Sequence, residues 1–314
     1  QLKTALKRVI DLKTGKPSVK LNNVETAFIR ELYPHWRRNT QLPKDLVQKI
    51  AKLTSKTQFI WQNARKNNDF RSFSPHLKEL IALLKEKISI LGYEKHPYDT
   101  LIDEFEPGMR VDLIDNIFTP LKHATKDYLV NYKSTEFQPI KGPFNYDHQL
   151  LYSKELMLAL GYDTNRGRLD ISTHPFTIDI HPSDVRITTR INPDYLFESI
   201  TSTIHEVGHA LYEQGLDPLW AHTPYGMARS MGIHESQSRF WEIFVGQSQS
   251  FWDGQLNRIH TLFPSTKQNS AKDFFNSCRQ IAPHWCRVES DVITYNMHII
   301  LRYECEKALF SDEL

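Results

Sequence analysis

His205-Glu206-Val207-Gly208-His209 constrains this chain more than any other stretch. In an α-helix, residues i and i+4 stand one above the other on the same face, so two imidazoles can grip one Zn²⁺. Glu206 is displaced around the helix, and its carboxylate can reach a water at that ion without occupying a coordination position. A five-residue pattern with two free positions also arises by chance on ordinary helices, so its flanks decide. Asn192-Pro193-Asp194 reads as an N-cap, a proline at the first helical position and an acid in the first turn, and Gly215 reads as a stop. Phe197, Ile200, Ile204, Val207 and Leu211 recur at three- and four-residue steps and predict a buried face. That context favours a metal-bearing helix over a helix with two idle histidines.

A catalytic zinc needs a third protein ligand and an open position for water. Ile233-His234-Glu235-Ser236-Gln237 opens a second helical stretch, with Ile233, Phe240, Trp241, Phe244 and Val245 expected on its buried side. Glu235 is the best candidate for the third ligand, with Glu213, Asp217 and Glu242 as competitors. Glu213 lies one turn too far along the first helix. His234 points about 100° away from Glu235 around a helix, which suits a supporting or substrate-facing role. The chemistry this set suggests is metal-assisted hydrolysis of a peptide bond.

The run Thr203-Ile204-His205-Glu206-Val207-Gly208-His209-Ala210-Leu211-Tyr212-Glu213-Gln214-Gly215, followed by Gly232-Ile233-His234-Glu235-Ser236-Gln237-Ser238-Arg239, resembles the carboxypeptidase Taq family of thermostable metallocarboxypeptidases. His174-Pro175-Phe176 and Asp184-Val185-Arg186-Ile187-Thr188 stand in the order of two upstream motifs of that family. Cys286-Arg287-Val288-Glu289-Ser290-Asp291 resembles a motif that usually reads Ile-Arg-x-x-Ala-Asp. The resemblance implies that His205, His209 and Glu235 bind the metal and that Glu206 is the general base. It also implies that Arg287 engages the free α-carboxylate of a peptide, which would confine attack to the last bond. By itself, Arg287 reads as a partner for Asp291 at i+4.

The implied fold is mainly α, a large helical zincin-like peptidase with a short β-hairpin or small sheet beside the active-site helix. The implied cofactor is zinc, with cobalt able to replace it; the implied partners are peptides with a free C-terminus, and the family suggests a homodimer. Residues 1–314 read as a single catalytic region that is incomplete relative to the family at both ends, because the downstream motif Gly-x-x-Gln-Asp-x-His-Trp does not occur. Two other readings follow: an oligopeptidase that cuts internal bonds with the same centre, and an inactive fragment that holds metal and peptide.

With 40% hydrophobic and 24% charged residues, the chain has enough apolar material for a substantial core. A formal net charge of +2, with Lys and Arg scattered, gives no footprint for nucleic acid or for an anionic membrane. The first twenty residues lack an apolar core of signal length, and no segment is long enough to span a bilayer, so a cytoplasmic enzyme is expected. Cys278, Cys286 and Cys305 match no zinc-ribbon spacing and agree with reduced thiols, Cys305 being expected in buried helix packing.

The first half reads as successive helices. Ser74-Pro75 is expected to cap a helix carrying Leu77, Leu80, Ile81, Leu84, Ile88 and Leu91, with Gly92 at its end. Asn67-Asn68-Asp69, Glu106-Pro107-Gly108 and Gly142-Pro143 read as turns or loops. Alternation of Phe176, Ile178 and Ile180, then of Val185, Ile187 and Thr189, predicts two short strands around His181-Pro182-Ser183. Arg186 and Thr188 share a strand face that would either meet substrate or anchor the strand. His174 and His181 read as structural or surface residues, and His222 lies in the loop between the two metal-bearing helices.

Overall fold

A computed structural model describes residues 1–133, 140–285, 287 and 290–314; Cys286, Val288 and Glu289 of the sequence motif lie outside the described residues. The chain divides into two compact units. The first comprises residues 1–117, 223–225 and 301–314. It contains α1 (Leu2–Lys7), α2 (Asn23–Gln41), α3 (Lys44–Asn67), α4 (Phe70–Leu91), α5 (Asp99–Ile102) and the start of α6 (Val111–Asn131).

Local chemistry explains these boundaries. A reciprocal capping box between Asn22 and Glu25 starts α2. The Asp69 carboxylate accepts the Ser72 N–H and starts α4 at Phe70, so Pro75 lies inside the helix and Ser74 does not cap it, contrary to expectation. Gly92 ends α4 as predicted. Buried Asp99 accepts the Val111 N–H at 2.7 Å, joining α5 to α6.

The second unit comprises residues 118–222 and 226–300. In chain order it holds α7 (Tyr146–Ala159), β1 (Leu169–Ile171), β2 (Thr177–His181), β3 (Asp184–Thr189), α8 (Leu196–Gln214), α9 (Met231–Arg239), a π-helical turn (Phe240–Val245), α10 (Gln249–Leu262), α11 (Ala271–Cys278) and the first part of α12 (Val292–Phe310). The mainly helical architecture with a small sheet is as expected. The two predicted strands pair antiparallel, with Thr177 opposite Ile187 and Ile178 opposite Arg186. β1 runs parallel to β3, giving the order β1-β3-β2. Three residues show no alternation, so β1 left no signature in the sequence.

The central element is α8. Ile200 and Ile204 pack with Phe144, Tyr152, Trp252 and Phe274, while Val207 and Ala210 pack with Val185 and Ile187 of the sheet. Fully burying an aliphatic side chain stabilises by about 1.5–3 kcal/mol, against ~1 kcal/mol for an N-cap. Packing on both sides therefore outweighs the lack of a side-chain cap at Tyr195, where α8 begins. Asn192 does not cap the helix as expected. Its Oδ1 accepts the Asp194 N–H and its Nδ2 donates to Glu198, while the Pro193 carbonyl accepts the Phe144 N–H. These bonds commit the segment to a turn tied to the residues before α7.

Two burial expectations are corrected. Ile233, Phe240 and Phe244 are exposed, and it is Ser238, fully buried, that meets α8. Cys305 is exposed, whereas Cys278 is half-buried and its thiol is pushed up to about 11 by that burial. Among the described residues, no helix is long and apolar enough to cross a membrane.

Gly167 fixes the sheet against the Tyr162 turn: a Cβ there would lie 1.8 Å from the Val185 carbonyl oxygen and 2.1 Å from the Tyr162 hydroxyl. Gly167→Ala is expected to destabilise the protein by about 1–3 kcal/mol or more through overpacking. Thermal denaturation checks this, and an unchanged midpoint would mean that the turn yields without cost.

Candidate metal centre

The imidazoles of His205 and His209 stand on one face of α8, with ring centroids 4.9 Å apart. α9, started by the Ser230 side chain accepting the Ile233 N–H, brings Glu235 against them. Glu235 Oε2 lies 3.2 Å from His209 Nε2 and 3.7 Å from His205 Nε2. One donor atom from each of the three residues falls within 4.8 Å of the others. Tetrahedral zinc with bonds of about 2.1 Å separates its ligand atoms by about 3.4 Å, so these spacings suit one such ion. Of the carboxylates open in the sequence, Glu235 takes the converging place and Glu213 and Glu242 take others. The Asp217 carboxylate caps the turn after α8 by accepting the Leu219 N–H.

Gly208 makes this convergence possible. A Cβ on it would lie 2.6 Å from Ser238 Cα and 2.9 Å from the Gln237 carbonyl oxygen. Only a residue without a side chain lets the α9 backbone come this close. Ser238, on the contacting side of α9, donates from its hydroxyl to the Glu235 carbonyl at 2.7 Å and lies 3.0 Å from Glu235 Oε2.

The surroundings orient each group. His205 Nδ1 lies 2.7 Å from Glu242 Oε2 on the π-helical turn. Donation from Nδ1 leaves Nε2, the nitrogen nearer Glu235, available to a cation, the arrangement by which a carboxylate orients a metal-ligating histidine. Arg239 Nη1 holds both Glu242 oxygens at 3.0 and 2.9 Å. Burial opposes protonation of His205, but the Glu242 carboxylate outweighs it and the imidazole pKa is raised in the metal-free protein. Burial also pushes the Glu235 carboxyl up, yet the His209 hydrogen bond and the nearby His205 charge prevail and bring it down to about 2. Glu235 is therefore an anion at any working pH.

His209 is braced differently. Its ring stacks on His234, with centroids 4.5 Å apart and planes at 26°. His234 Nε2 lies 2.8 Å from Glu213 Oε1, close but not aligned for a hydrogen bond. Glu206, only 6% exposed, accepts from the Thr177 hydroxyl at 2.7 Å on Oε2.

Arg287 and Arg186 make contacts of their own with Tyr295 and Asp184. The exposed Arg287 guanidinium donates to the Tyr295 hydroxyl at 3.3 Å and lies over the Tyr295 ring, 5.5 Å from its centroid. The same ring carries Arg239 at 4.6 Å, so one aromatic side chain touches Arg287 and the arginine that steadies Glu242. Asp291 is not the partner of Arg287; its carboxylate accepts the Ile293 and Thr294 N–H groups at the start of α12. Arg186 forms a two-pronged pair with Asp184 on its own strand, at 2.8 and 2.7 Å. Thr188 is the anchor on that strand, bonded to Phe176 and Ser172. His181 lies beside Ser183, and its ring is 5.6 Å from that of His222.

The model of the carboxypeptidase Taq (M32) metallopeptidase family matches residues 2–314. The chain belongs to this family. It is 40% identical over 299 residues to thermostable carboxypeptidase 1 of Thermus thermophilus, covering 91% of this chain and 59% of the relative. It is 39% identical over 284 residues to carboxypeptidase 1 of Bacillus subtilis, covering 89% and 57%. The solved structure of Pyrococcus furiosus carboxypeptidase superposes with a TM-score of 0.89 at 32% identity, covering 96% of this chain and 62% of that one. The chain thus spans about three-fifths of the length of the relatives it matches.

Sequence reasoning missed Thr177, Ser238 and Arg239, and took Glu242 for a rival ligand. Only the i, i+3 spacing of Arg239 and Glu242 could have hinted at their pairing. Gly208→Ala is expected to push α9 away and weaken binding of a divalent cation by on the order of tenfold or more, the scale on which supporting contacts set metal affinity. Competition with a chromophoric chelator measures this; wild-type affinity in the variant would show that the backbone contact does not set the position of Glu235.

Proposed function

We propose that this chain carries the catalytic centre of a metallocarboxypeptidase, with His205, His209 and Glu235 holding a divalent cation, zinc or cobalt, and Glu206 as general base. The observation that carries this reading is the convergence of His205 Nε2, His209 Nε2 and Glu235 Oε2, with Glu206 on the same helix. Two neutral imidazoles and a carboxylate form a donor set suited to zinc, and nitrogen and oxygen ligands discriminate weakly against cobalt. The held imidazole of His205 and the low pKa of Glu235 fit the donor role, because both residues present lone pairs near neutral pH once the His205 proton is displaced.

A cation held by His205, His209 and Glu235 would supply Lewis-acid polarisation of the scissile carbonyl and a lowered pKa for the attacking water. Glu206 takes a proton from that water as its oxygen bonds to the carbonyl carbon, and delivers it to the leaving nitrogen as the C–N bond breaks. The products are a shortened peptide with a new carboxylate and a free amino acid. Arg287 pairs with the α-carboxylate of the substrate's last residue and so selects the terminal bond. Its guanidinium is exposed and carried on Tyr295, which leaves its remaining N–H groups for such a ligand. Glu242 and Arg239 hold His205, and His234 steadies His209. Arg186, paired with Asp184, is better read as anchoring its strand than as binding substrate.

Digestion of one peptide by the zinc-loaded chain, with a free and with an amidated C-terminus, tests this by mass spectrometry. Stepwise loss of terminal residues from the free peptide alone is expected, and Arg287→Ala should lower kcat/KM by about 10²-fold through loss of a charged, two-pronged contact. Internal cuts in both peptides would point to an oligopeptidase, and absence of any cut would point to a metal- and peptide-holding fragment.

A further inference from the structure

The general base of a hydrolytic site needs a fixed carboxylate, and a glutamate on a helix has three rotatable bonds that do not fix it. Glu206 is buried, so an oxygen without a partner would be costly, yet one oxygen must remain for water. The hydroxyl that meets it comes from outside α8. Thr177 Oγ1 lies 2.7 Å from Glu206 Oε2 and 3.2 Å from the Glu206 carbonyl oxygen. We propose that Thr177 is a positioning residue whose hydroxyl, carried on the edge strand β2, holds Glu206 Oε2 and leaves Oε1 for the reacting water. This rests on the metallocarboxypeptidase reading given above.

The strand itself places the hydroxyl. Thr177 sits opposite Ile187, which is fully buried in the cluster that includes Val207 of α8. Directly paired residues point to the same face of a sheet, so Thr177 faces the metal-bearing helix, and its neighbours Phe176 and Ile178 are exposed on the other face. A β-branched side chain has restricted χ1, which gives its hydroxyl a defined direction. The backbone beside it is fixed as well: Thr188 Oγ1 accepts the Phe176 N–H at 3.0 Å, and the Thr188 N–H donates to the Phe176 carbonyl at 2.9 Å. Thr188 thereby holds Phe176, and the next residue, Thr177, holds Glu206. The segments His174-Pro175-Phe176 and Asp184–Thr188 thereby gain a role as the support of the base.

Thr177→Val keeps the shape and removes the donor, and Thr177→Ser keeps the donor. In the zinc-loaded full chain, Thr177→Val should lower kcat on a blocked dipeptide by about 10- to 100-fold, the scale of a displaced catalytic group. KM and zinc affinity should stay within about threefold of wild type, and Thr177→Ser should restore kcat to within about threefold. A strand anchor with no positioning role would lower the melting temperature and leave kcat unchanged. Crystal structures of the two variants give a readout independent of turnover: the Glu206 carboxylate should be displaced in Thr177→Val and retained in Thr177→Ser. Wild-type kcat in Thr177→Val, or a Glu206 carboxylate that stays in place there, overturns the proposal. If the wild-type chain cleaves nothing, the functional reading fails by itself, and the carboxylate position still judges the role of Thr177.

Discussion

The close contact of two helix backbones at Gly208 governs the whole site. α8 carries both histidines and the proposed base, but those three residues make only part of a centre. The proposed third donor, Glu235, comes from α9, and the approach that brings it would be blocked by a single methyl group at Gly208, 2.6 Å from Ser238 Cα. Ser238 fills the contact with the smallest side chain that can also hold Glu235. Close backbone approach and the His209–His234 stack join these helices, while Phe240 and Phe244 of the π-helical turn remain exposed.

Around that contact, each group is held by a different neighbour. Glu242 and Arg239 fix His205, His234 stacks on His209, Ser238 holds Glu235, and Thr177 reaches Glu206 from the sheet. The supports come from α9, the π-helical turn and the sheet, and α8 itself is held in place by apolar packing on two sides. Apolar packing of the carrying helix is what lets individually weak contacts hold such side chains in place. Tyr295 links this arrangement to Arg287, since its ring contacts both Arg239 and Arg287.

The parts of this site legible in the sequence are those whose geometry is local. The i, i+4 spacing of His205 and His209 places them on one helix face whatever the rest of the chain does, and the three- and four-residue steps from Phe197 to Val207 foretell the buried side. The hairpin was visible through its alternation. Glu235 was one of several acids, and only the approach at Gly208 separates it from Glu242, which lies seven residues on and reaches the other nitrogen of His205. Thr177 is twenty-nine residues from Glu206, and nothing in its spacing announces the contact. The N-terminal signals misled where competing partners existed: Asn192 was drawn to Asp194 and Glu198, and Asp69 capped α4 ahead of Ser74.

Whether the α8–α9 contact builds a single three-residue metal site is decided by anomalous diffraction at the zinc edge from crystals of the zinc-loaded protein. The account predicts one strong peak bonded to His205 Nε2, His209 Nε2 and a Glu235 oxygen at about 2.0–2.2 Å, with Glu242 bonded only to His205 Nδ1. A peak with Glu242 or Glu213 as ligand in place of Glu235, or no peak between α8 and α9, would contradict it.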